Sequence, residues 1–331
     1  MQKISREQLI EKAVSLLKNQ TVSAVLGWKK GEFDYDVTPA LFESVEELEK
    51  DFLFGDFCGA NLSKYLVAKT QKVQGKVLVF LKPCDTYSFN QLLTEHRFDR
   101  EKVYAVGVPC EGMIDVSKIK KSVNDAIVSI ESKGEEVIVK TLYGEEKTLK
   151  FKDLLLEKCV NCKSKKHVAY DELIGEDGEV INSNRFDEVS KLESMTADER
   201  FNFWQEQLSR CIRCNACRDA CPACTCEKCV FDNPKSGVEN KAPANSFEEK
   251  MFHIIRAFHV AGRCTDCGEC SRVCPQDIPL HLLNRKFIKD INEFYGEYQA
   301  GEQVGSRAPL VDYAKEDVEP SDVFSRRDEN A

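Results

Sequence analysis

The stretch RCIRCNACRDACPACTCEKC, residues 210–229, contains seven cysteines within 19 positions. From Cys211, the first four follow the spacing C-x2-C-x2-C-x3-C and end in Cys221-Pro222, and the same spacing recurs from Cys264 to Cys274-Pro275. Three cysteines at i, i+3 and i+6 wrap one loop around a cubane, with backbone amides directed at the sulfurs. This repeat is typical of domains that bind two [4Fe–4S] clusters. Structural zinc sites instead use separated C-x2-C pairs, so the repeat favours iron–sulfur clusters over zinc.

The ligands of the two clusters follow from the motif, because in two-cluster ferredoxins the cysteine before proline binds the other cluster. We predict that cluster 1 is bound by Cys211, Cys214, Cys217 and Cys274. Cluster 2 is then bound by Cys264, Cys267, Cys270 and Cys221. Nearby arginines would offset cluster charge and raise the reduction potential, with exposed surface positions as the alternative: Arg210, Arg213, Arg218, Arg263 and Arg272.

Three further cysteines, Cys224, Cys226 and Cys229, are too close together to complete a third cubane alone. Packing thiols, supporting ligands, or donors to a group brought by a partner subunit are the alternatives for them.

Composition limits the class of protein. The chain has 331 residues, 16 cysteines and a formal net charge of −9, which disfavours nucleic acid and anionic membranes as partners. It has no run of 18 apolar residues, so we expect no membrane span, and its first 20 residues have the pattern of an amphipathic helix without a secretory signal. A cytoplasmic location follows, and because thiols stay reduced there, the cysteines indicate metal ligation.

Hydrophobic patterning divides the chain into three parts. Residues 1–190 alternate helix and strand patterns, including the apolar runs 76–85 and 103–112, which predicts an α/β domain with a mixed, mostly parallel sheet. Residues 135–151 read as a hairpin. Residues 191–296 predict an α-helical, ferredoxin-like domain with two clusters, and residues 297–331 a charged, solvated tail, with an arm that wraps a partner as the alternative.

Four cysteines of the first part are candidates for a third site. Cys84 and Cys110 each follow a proline at the end of a predicted parallel strand, where ligands bind in open α/β sheets. Cys159 and Cys162 form a pair on a later loop. Together these four thiols suffice for a third [4Fe–4S] cluster, with zinc or unligated cysteines as alternatives. Cys58 is expected to be a core or site-wall thiol.

The segments GVPCEGMID (107–115) and KCVNCKSKKHVAYDELIG (158–175) resemble the coenzyme F-420 hydrogenase/dehydrogenase beta-subunit family. That resemblance, over about residues 20–185, implies FAD close to a cluster bound by Cys110, Cys159 and Cys162; Cys84 is added from its position. The C-terminal half also resembles beta subunits of anaerobic formate dehydrogenases, hydrogenases and heterodisulfide-reductase-linked complexes. No GxGxxG or GxxxxGK[ST] motif is present, so FAD rests on the resemblance alone.

Two functions compete on these grounds. The first is a flavin-containing oxidoreductase subunit that relays electrons between a two-electron carrier and a partner, such as ferredoxin or another subunit of an anaerobic complex. The second is a non-catalytic electron-transfer linker whose N-terminal domain only docks partners. No catalytic residue is identified. His167 is assigned either to a cluster sulfur or to the surface, and His253 and His259 to the core or the surface.

Overall fold

The computed structural model describes residues 4–162, 165–179, 184–233 and 246–309. In these residues the strands are β1 (Ala24–Lys30), β2 (Val37–Phe42), β3 (Phe52–Leu53), β4 (Val77–Leu81), β5 (Val103–Gly107), β6 (Ile127–Lys133), β7 (Glu136–Thr141), β8 (Glu146–Lys150) and β9 (Glu172–Leu173). The helices are α1 (Arg6–Lys18), α2 (Val45–Asp51), α3 (Ser63–Lys72), α4 (Pro83–Thr94), α5 (Val116–Lys120), α6 (Glu157–Val160), α7 (Asp187–Ser194), α8 (Ala197–Ser209), α9 (Ala216–Asp219), α10 (Ser246–His259), α11 (Glu269–Arg272) and α12 (Leu280–Tyr295).

A mixed sheet of six strands forms the N-terminal core, in the order β2-β1-β4-β5-β9, with β3 paired to β1. The β1–β4, β4–β5 and β5–β9 pairs are parallel, whereas β2 and β3 run antiparallel to β1. Every residue of β4 is buried, as a continuous apolar run in a sheet covered on both faces requires. The predicted α/β fold with a mixed, mostly parallel sheet is confirmed.

The ends of β4 and β5 bring two Pro-Cys turns together. Leu81 pairs with Gly107 at the last register position of these neighbouring parallel strands. Immediately after β4, Pro83 occupies the first turn of α4, where its fixed φ suits the helix and its missing N–H costs nothing. Cys84 is therefore a residue of the first turn of α4, whereas Cys110 lies in the loop after β5.

A second sheet, β6-β7-β8, is antiparallel. In the sequence it lies between β5 and the segment that carries Cys159 and Cys162. It contains the hairpin predicted for residues 135–151. The pattern of β6 escaped prediction because most of its side chains are at least partly exposed and no clear alternation marks a buried face.

The C-terminal part is helical, and its helices end next to the cysteine loops. Thr196 and Glu199 form a capping box at the start of α8, which ends at Ser209, two residues before Cys211. Helix α10 packs against α8 and α12. No helix in the described ranges is long and apolar enough to cross a membrane.

Residues 297–309 return to the N-terminal part. The hydroxyl of Tyr298 donates to the Gly262 carbonyl (3.0 Å), and the backbone N–H of Gly305 donates to Thr94 Oγ1 at the end of α4 (2.9 Å). The remainder of the predicted tail, residues 310–331, lies outside the described residues. The boundaries 1–190, 191–296 and 297–331 stay a prediction.

Candidate iron–sulfur centres

The two cysteine repeats have the same backbone geometry. Arg213 and Asn215 in the first loop have φ of 53° and 63°, and Asp266 and Gly268 at the equivalent positions of the second loop have φ of 57° and 66°. These left-handed positions turn each loop sharply between successive cysteines, and a short helix follows each loop, α9 and α11. The sequence repeat is thus also a structural repeat.

Backbone amides point at the sulfurs in these loops. The N–H of Arg213 donates to Cys211 Sγ (3.4 Å). In the second loop, burial raises the pKa values of Cys264 and Cys267. Backbone N–H groups oppose this effect: the N–H of Asp266 donates to the sulfur of Cys264, and the N–H of Glu269 donates to the sulfur of Cys267. Amide donors of this kind stabilise anionic sulfur ligands.

Each cysteine that precedes a proline lies among thiols of the other repeat. Burial raises the pKa of Cys217, and the neighbouring Cys274 and Cys214 raise it further. Burial also raises the pKa values of Cys264, Cys267 and Cys270, the last to about 11, and a charge on Cys221 adds to the shift of all three. The structure therefore brings Cys274 to the first loop and Cys221 to the second.

The three surplus cysteines, Cys224, Cys226 and Cys229, line a single cavity of 320 Å³. A hydrogen bond from the Cys224 thiol lowers the pKa of Cys221. Cys224 is half-buried and Cys226 is exposed, so the cavity opens to solvent.

All four N-terminal candidates, Cys84, Cys110, Cys159 and Cys162, line one cavity, and Cys267 of the second loop lines it too. Burial and the neighbouring Cys159 together raise the pKa of Cys110 to about 12. Burial and Asp85 raise the pKa of Cys84, and Cys162 adds to that shift. Cationic side chains contribute to the wall of this cavity: Lys82, Lys158, Lys165, Arg185 and Arg285. Asp266 lines the cavity as well, and four of these five cations have carboxylate partners: Lys82 with Asp85, Lys158 with Glu269, and Arg185 and Arg285 with Asp266.

A buried lysine holds the turn that carries Cys84. Lys82 is 1% exposed; its Nζ lies 2.8 Å from Asp85 Oδ2 and donates to the Ala60 carbonyl at 2.9 Å. It also lies over the Trp28 ring, 4.5 Å from the centroid. Both the charge and the donor capacity of this lysine are therefore used internally, which fixes the start of α4.

Within the described residues, no three or more His, Cys, Asp or Glu side chains converge closely enough to hold a single metal ion. A zinc ion needs its ligands at about 2.3 Å for sulfur, so four zinc-bound thiolates crowd around one point. A cubane separates its cysteines around a larger body.

Three side chains correct or extend the sequence analysis. Cys58 is fully buried, as expected of a core thiol. His167 is neither at the surface nor on a sulfur: its Nδ1 lies 2.5 Å from Asp177 and its Nε2 2.9 Å from the Leu81 carbonyl. His253 is buried with Nε2 3.3 Å from Cys211 Sγ. The helical spacing of His253, Arg256 and Ala257 on the buried face of α10 was the available signal for this contact.

Residues 207–278 match the family model described as a 4Fe-4S dicluster domain. The C-terminal half therefore contains an iron–sulfur domain of the class that the loops indicated, and this class implies two [4Fe–4S] clusters. The sequence is homologous to F420-dependent formate dehydrogenase beta subunits. It is 25% identical to the subunit of Methanocaldococcus jannaschii over 83% of this chain and 86% of the relative. It is also 25% identical to the beta subunit of F420-dependent formate dehydrogenase 1 of Methanococcus maripaludis, over 83% of this chain and 87% of the relative.

A solved chain of the F420-reducing [NiFe] hydrogenase complex from Methanosarcina barkeri aligns with 15% identity and a TM-score of 0.37. The alignment covers 49% of this chain and 64%, less than two thirds, of that chain.

Proposed function

We propose that this chain is the iron–sulfur, electron-transfer beta subunit of a cytoplasmic, anaerobic oxidoreductase complex of the formate dehydrogenase type. One observation carries the proposal. Cys267, from the dicluster domain, lines the same cavity as Cys84, Cys110, Cys159 and Cys162 from the α/β domain. A third cluster held by these thiols would lie next to the dicluster domain. It would continue the row of clusters toward the carboxyl ends of the sheet strands, where open α/β sheets bind ligands.

The order of the thiol sets supports a relay. The N-terminal set adjoins Cys267 of cluster 2, and Cys270 of cluster 2 lies near Cys217 of cluster 1. At the far end, Cys214 of cluster 1 is exposed, and the neighbouring Ile212 is 60% exposed. When bound, each [4Fe–4S] cluster would accept and donate one electron. The exposed end at Cys214 offers the place for a partner, either another subunit or a ferredoxin.

The residues that would hold the third cluster are Cys84, Cys110, Cys159 and Cys162. Their thiols are held on rigid supports, because Cys84 is in the first turn of α4, fixed by Lys82, and Cys159 is in α6. Lys165, which opposes the effect of burial on the pKa of Cys110, would offset part of the negative charge of a thiolate-bound cluster.

A flavin is the finer part of the proposal. A second cavity of 320 Å³ shares Cys110, Gly112 and Met113 with the cavity of the third thiol set, and its wall includes Phe54 and Pro109. Its volume is at the lower end of the range for small-molecule sites. FAD bound there would connect a two-electron carrier, the F420 of the relatives' names, to one-electron centres. Hydrogenase- and heterodisulfide-reductase-type complexes are the alternatives to a formate dehydrogenase.

The test is the iron and flavin content of anaerobically purified protein. We expect about twelve iron atoms per chain, and about eight after Cys159→Ser with Cys162→Ser, because each [4Fe–4S] cluster contributes four. The matched control is Cys58→Ala: Cys58 is a buried thiol of the same domain that is outside the cavity wall, and its replacement should leave about twelve.

Other iron counts would separate the competing functions. About eight iron atoms in both the wild type and the double variant, without flavin, would refute the third cluster and favour the linker whose N-terminal domain only docks partners. About twelve iron atoms without flavin would retain the relay and refute the flavin.

A further inference from the structure

Arg256 is a buried cation on α10 without a carboxylate partner among the described residues. The side chain is 4% exposed. Its Nη2 donates to the Cys217 carbonyl (3.0 Å), and its Nε is buried with no hydrogen-bond partner in the part of the chain that the structure describes. An unpaired buried charge costs several kcal/mol, so a guanidinium in such a place calls for an opposite charge that compensates it.

The groups that face Arg256 are cysteines. Burial lowers its pKa, but charges on Cys221, Cys270, Cys217 and Cys224 outweigh burial and hold the pKa above its usual value. In turn, Arg256 lowers the pKa values of Cys217 and Cys270, although burial keeps both raised. Cys217 belongs to the proposed cluster 1, and Cys221 and Cys270 to the proposed cluster 2. Arg256 thus contacts or faces ligands of both.

We propose that Arg256 is the counter-ion shared by the two clusters and that it favours the reduced form of both. This inference rests on the proposed two-cluster ligation. A cluster with four thiolate ligands is anionic, and one added electron makes it more so. A fixed positive charge in a buried, low-dielectric position therefore stabilises the reduced state more than the oxidised state, which raises the reduction potential.

Two other basic residues show why position matters. Arg263 faces Cys224 and Cys226, but its guanidinium is engaged by Glu95 at 2.6 Å, which neutralises its field. Arg210 immediately precedes Cys211, yet it is exposed, so water screens its charge. Arg256 combines burial, lack of a carboxylate partner in the described chain, and proximity to both thiol sets.

The experiment is a redox titration, followed by EPR, of the full-length anaerobic protein with Arg256→Gln, Arg256→Lys and Arg210→Gln. Glutamine keeps a donor for the Cys217 carbonyl but removes the charge, and lysine keeps the charge. For Arg256→Gln with full iron content, we expect both clusters to become harder to reduce by about tenfold or more, which is ~59 mV for a one-electron couple. The reduction potentials of Arg256→Lys should remain closer to those of the wild type, and the potentials of Arg210→Gln should equal the wild-type values.

Each outcome decides the role. Unchanged potentials in an iron-replete Arg256→Gln variant, or a shift in one cluster only, would overturn the shared counter-ion. If Arg256→Gln fails to retain iron, retention of iron and near-wild-type potentials in Arg256→Lys would support a requirement for charge. Equal loss of iron in both variants would show that the guanidinium shape or its hydrogen bond matters, and would overturn the proposal. A wild-type protein without [4Fe–4S] signals would instead refute the proposed function itself, and the inference with it.

Discussion

The ammonium group of Lys158 and the carboxylate of Glu269 form a buried ion pair between the two halves of the chain. The two side chains are 5% and 3% exposed. Lys158 precedes Cys159 of the N-terminal set, and Glu269 precedes Cys270 of the dicluster domain. Glu269 also accepts hydrogen bonds from Arg272 (2.8 Å) and the Asn61 backbone N–H (3.2 Å). This network holds one thiol set in position against the other.

Replacing Lys158 by Met should destabilise the protein, because Glu269 loses a buried partner. Removing one member of a buried pair costs about 3–5 kcal/mol, and we expect the lower end because Arg272 still compensates Glu269. The control is Lys121→Met, which breaks the exposed Lys121–Asp277 pair (3.7 Å) between the same two halves and should cost about 1 kcal/mol or less. Thermal unfolding under anaerobic conditions measures both; equal effects would contradict the role of burial.

The fold was predictable where periodicity and motif spacing are strong. The apolar runs identified β4 and β5, the prolines marked the turns before Cys84 and Cys110, and the repeated cysteine spacing identified the dicluster domain. These features depend on neighbours in sequence or on the simple rule that parallel strands end at one edge of a sheet.

The contacts between the two halves were not predictable, because they pair residues that are far apart in the chain. Nothing local marks Lys158 and Glu269 as partners across 111 positions. From the sequence, arginines within or beside the motifs were expected to offset the negative charge of the clusters. The buried cation, Arg256, lies eight residues before the second motif. Burial is a property of the tertiary packing. It decides which charged side chain acts strongly on the clusters, because water screens exposed charges.

Replacing Gly301 by Ala should detach the segment of residues 297–309 from α4. Gly301 has φ of +76°, and a Cβ atom there would lie 1.9 Å from the Tyr87 carbonyl oxygen, a backbone atom that cannot move aside. The control is Gly296→Ala, where φ is +89° and ψ is 177° and the Cβ would meet no atom of the described residues within 4 Å, so that about 1–3 kcal/mol of backbone strain is added without a clash. Limited proteolysis after residue 296 should be faster in Gly301→Ala alone; equal rates in both variants would refute the close approach.

Replacing His281 by Gln should reduce the sensitivity of the protein to mild acid. Burial, with Arg285, lowers the pKa of His281 to about 4, and its Nδ1 shares a hydrogen bond of 2.8 Å with Ser271 Oγ. An unfolded histidine has a pKa of about 6.5, so between about pH 6.5 and 4 the unfolded chain binds more protons and stability falls as pH decreases.

The measurement for His281 is the melting temperature at about pH 7 and at about pH 5, within that window. His281→Gln should lose less stability than the wild type over this interval. His259→Gln, at an exposed position, is the control and should lose as much as the wild type. The same loss in His281→Gln as in the wild type would rule out His281 as the titrating group.

Replacing His253 by Leu should lower the reduction potential of cluster 1 alone. Burial, together with Arg256 and Arg213, lowers the pKa of His253 to about 3, so the ring is neutral near neutral pH. Its Nδ1 has no hydrogen-bond partner among the described residues, and its Nε2 lies 3.3 Å from Cys211 Sγ, so the proton is assigned to Nε2, which donates to the sulfur. Such a bond stabilises negative charge on the ligand, and the reduced cluster carries more of it.

The His253 contact separates a local effect from the shared effect of Arg256. His253→Leu removes a donor to Cys211 only, so the potential of cluster 2 should stay at its wild-type value, whereas Arg256→Gln should shift both. His259→Gln, at an exposed position of the same helix, controls for changes in α10. Equal shifts of both clusters in His253→Leu would mean that the substitution displaces Arg256 through α10, and the hydrogen bond to Cys211 would then not be the cause.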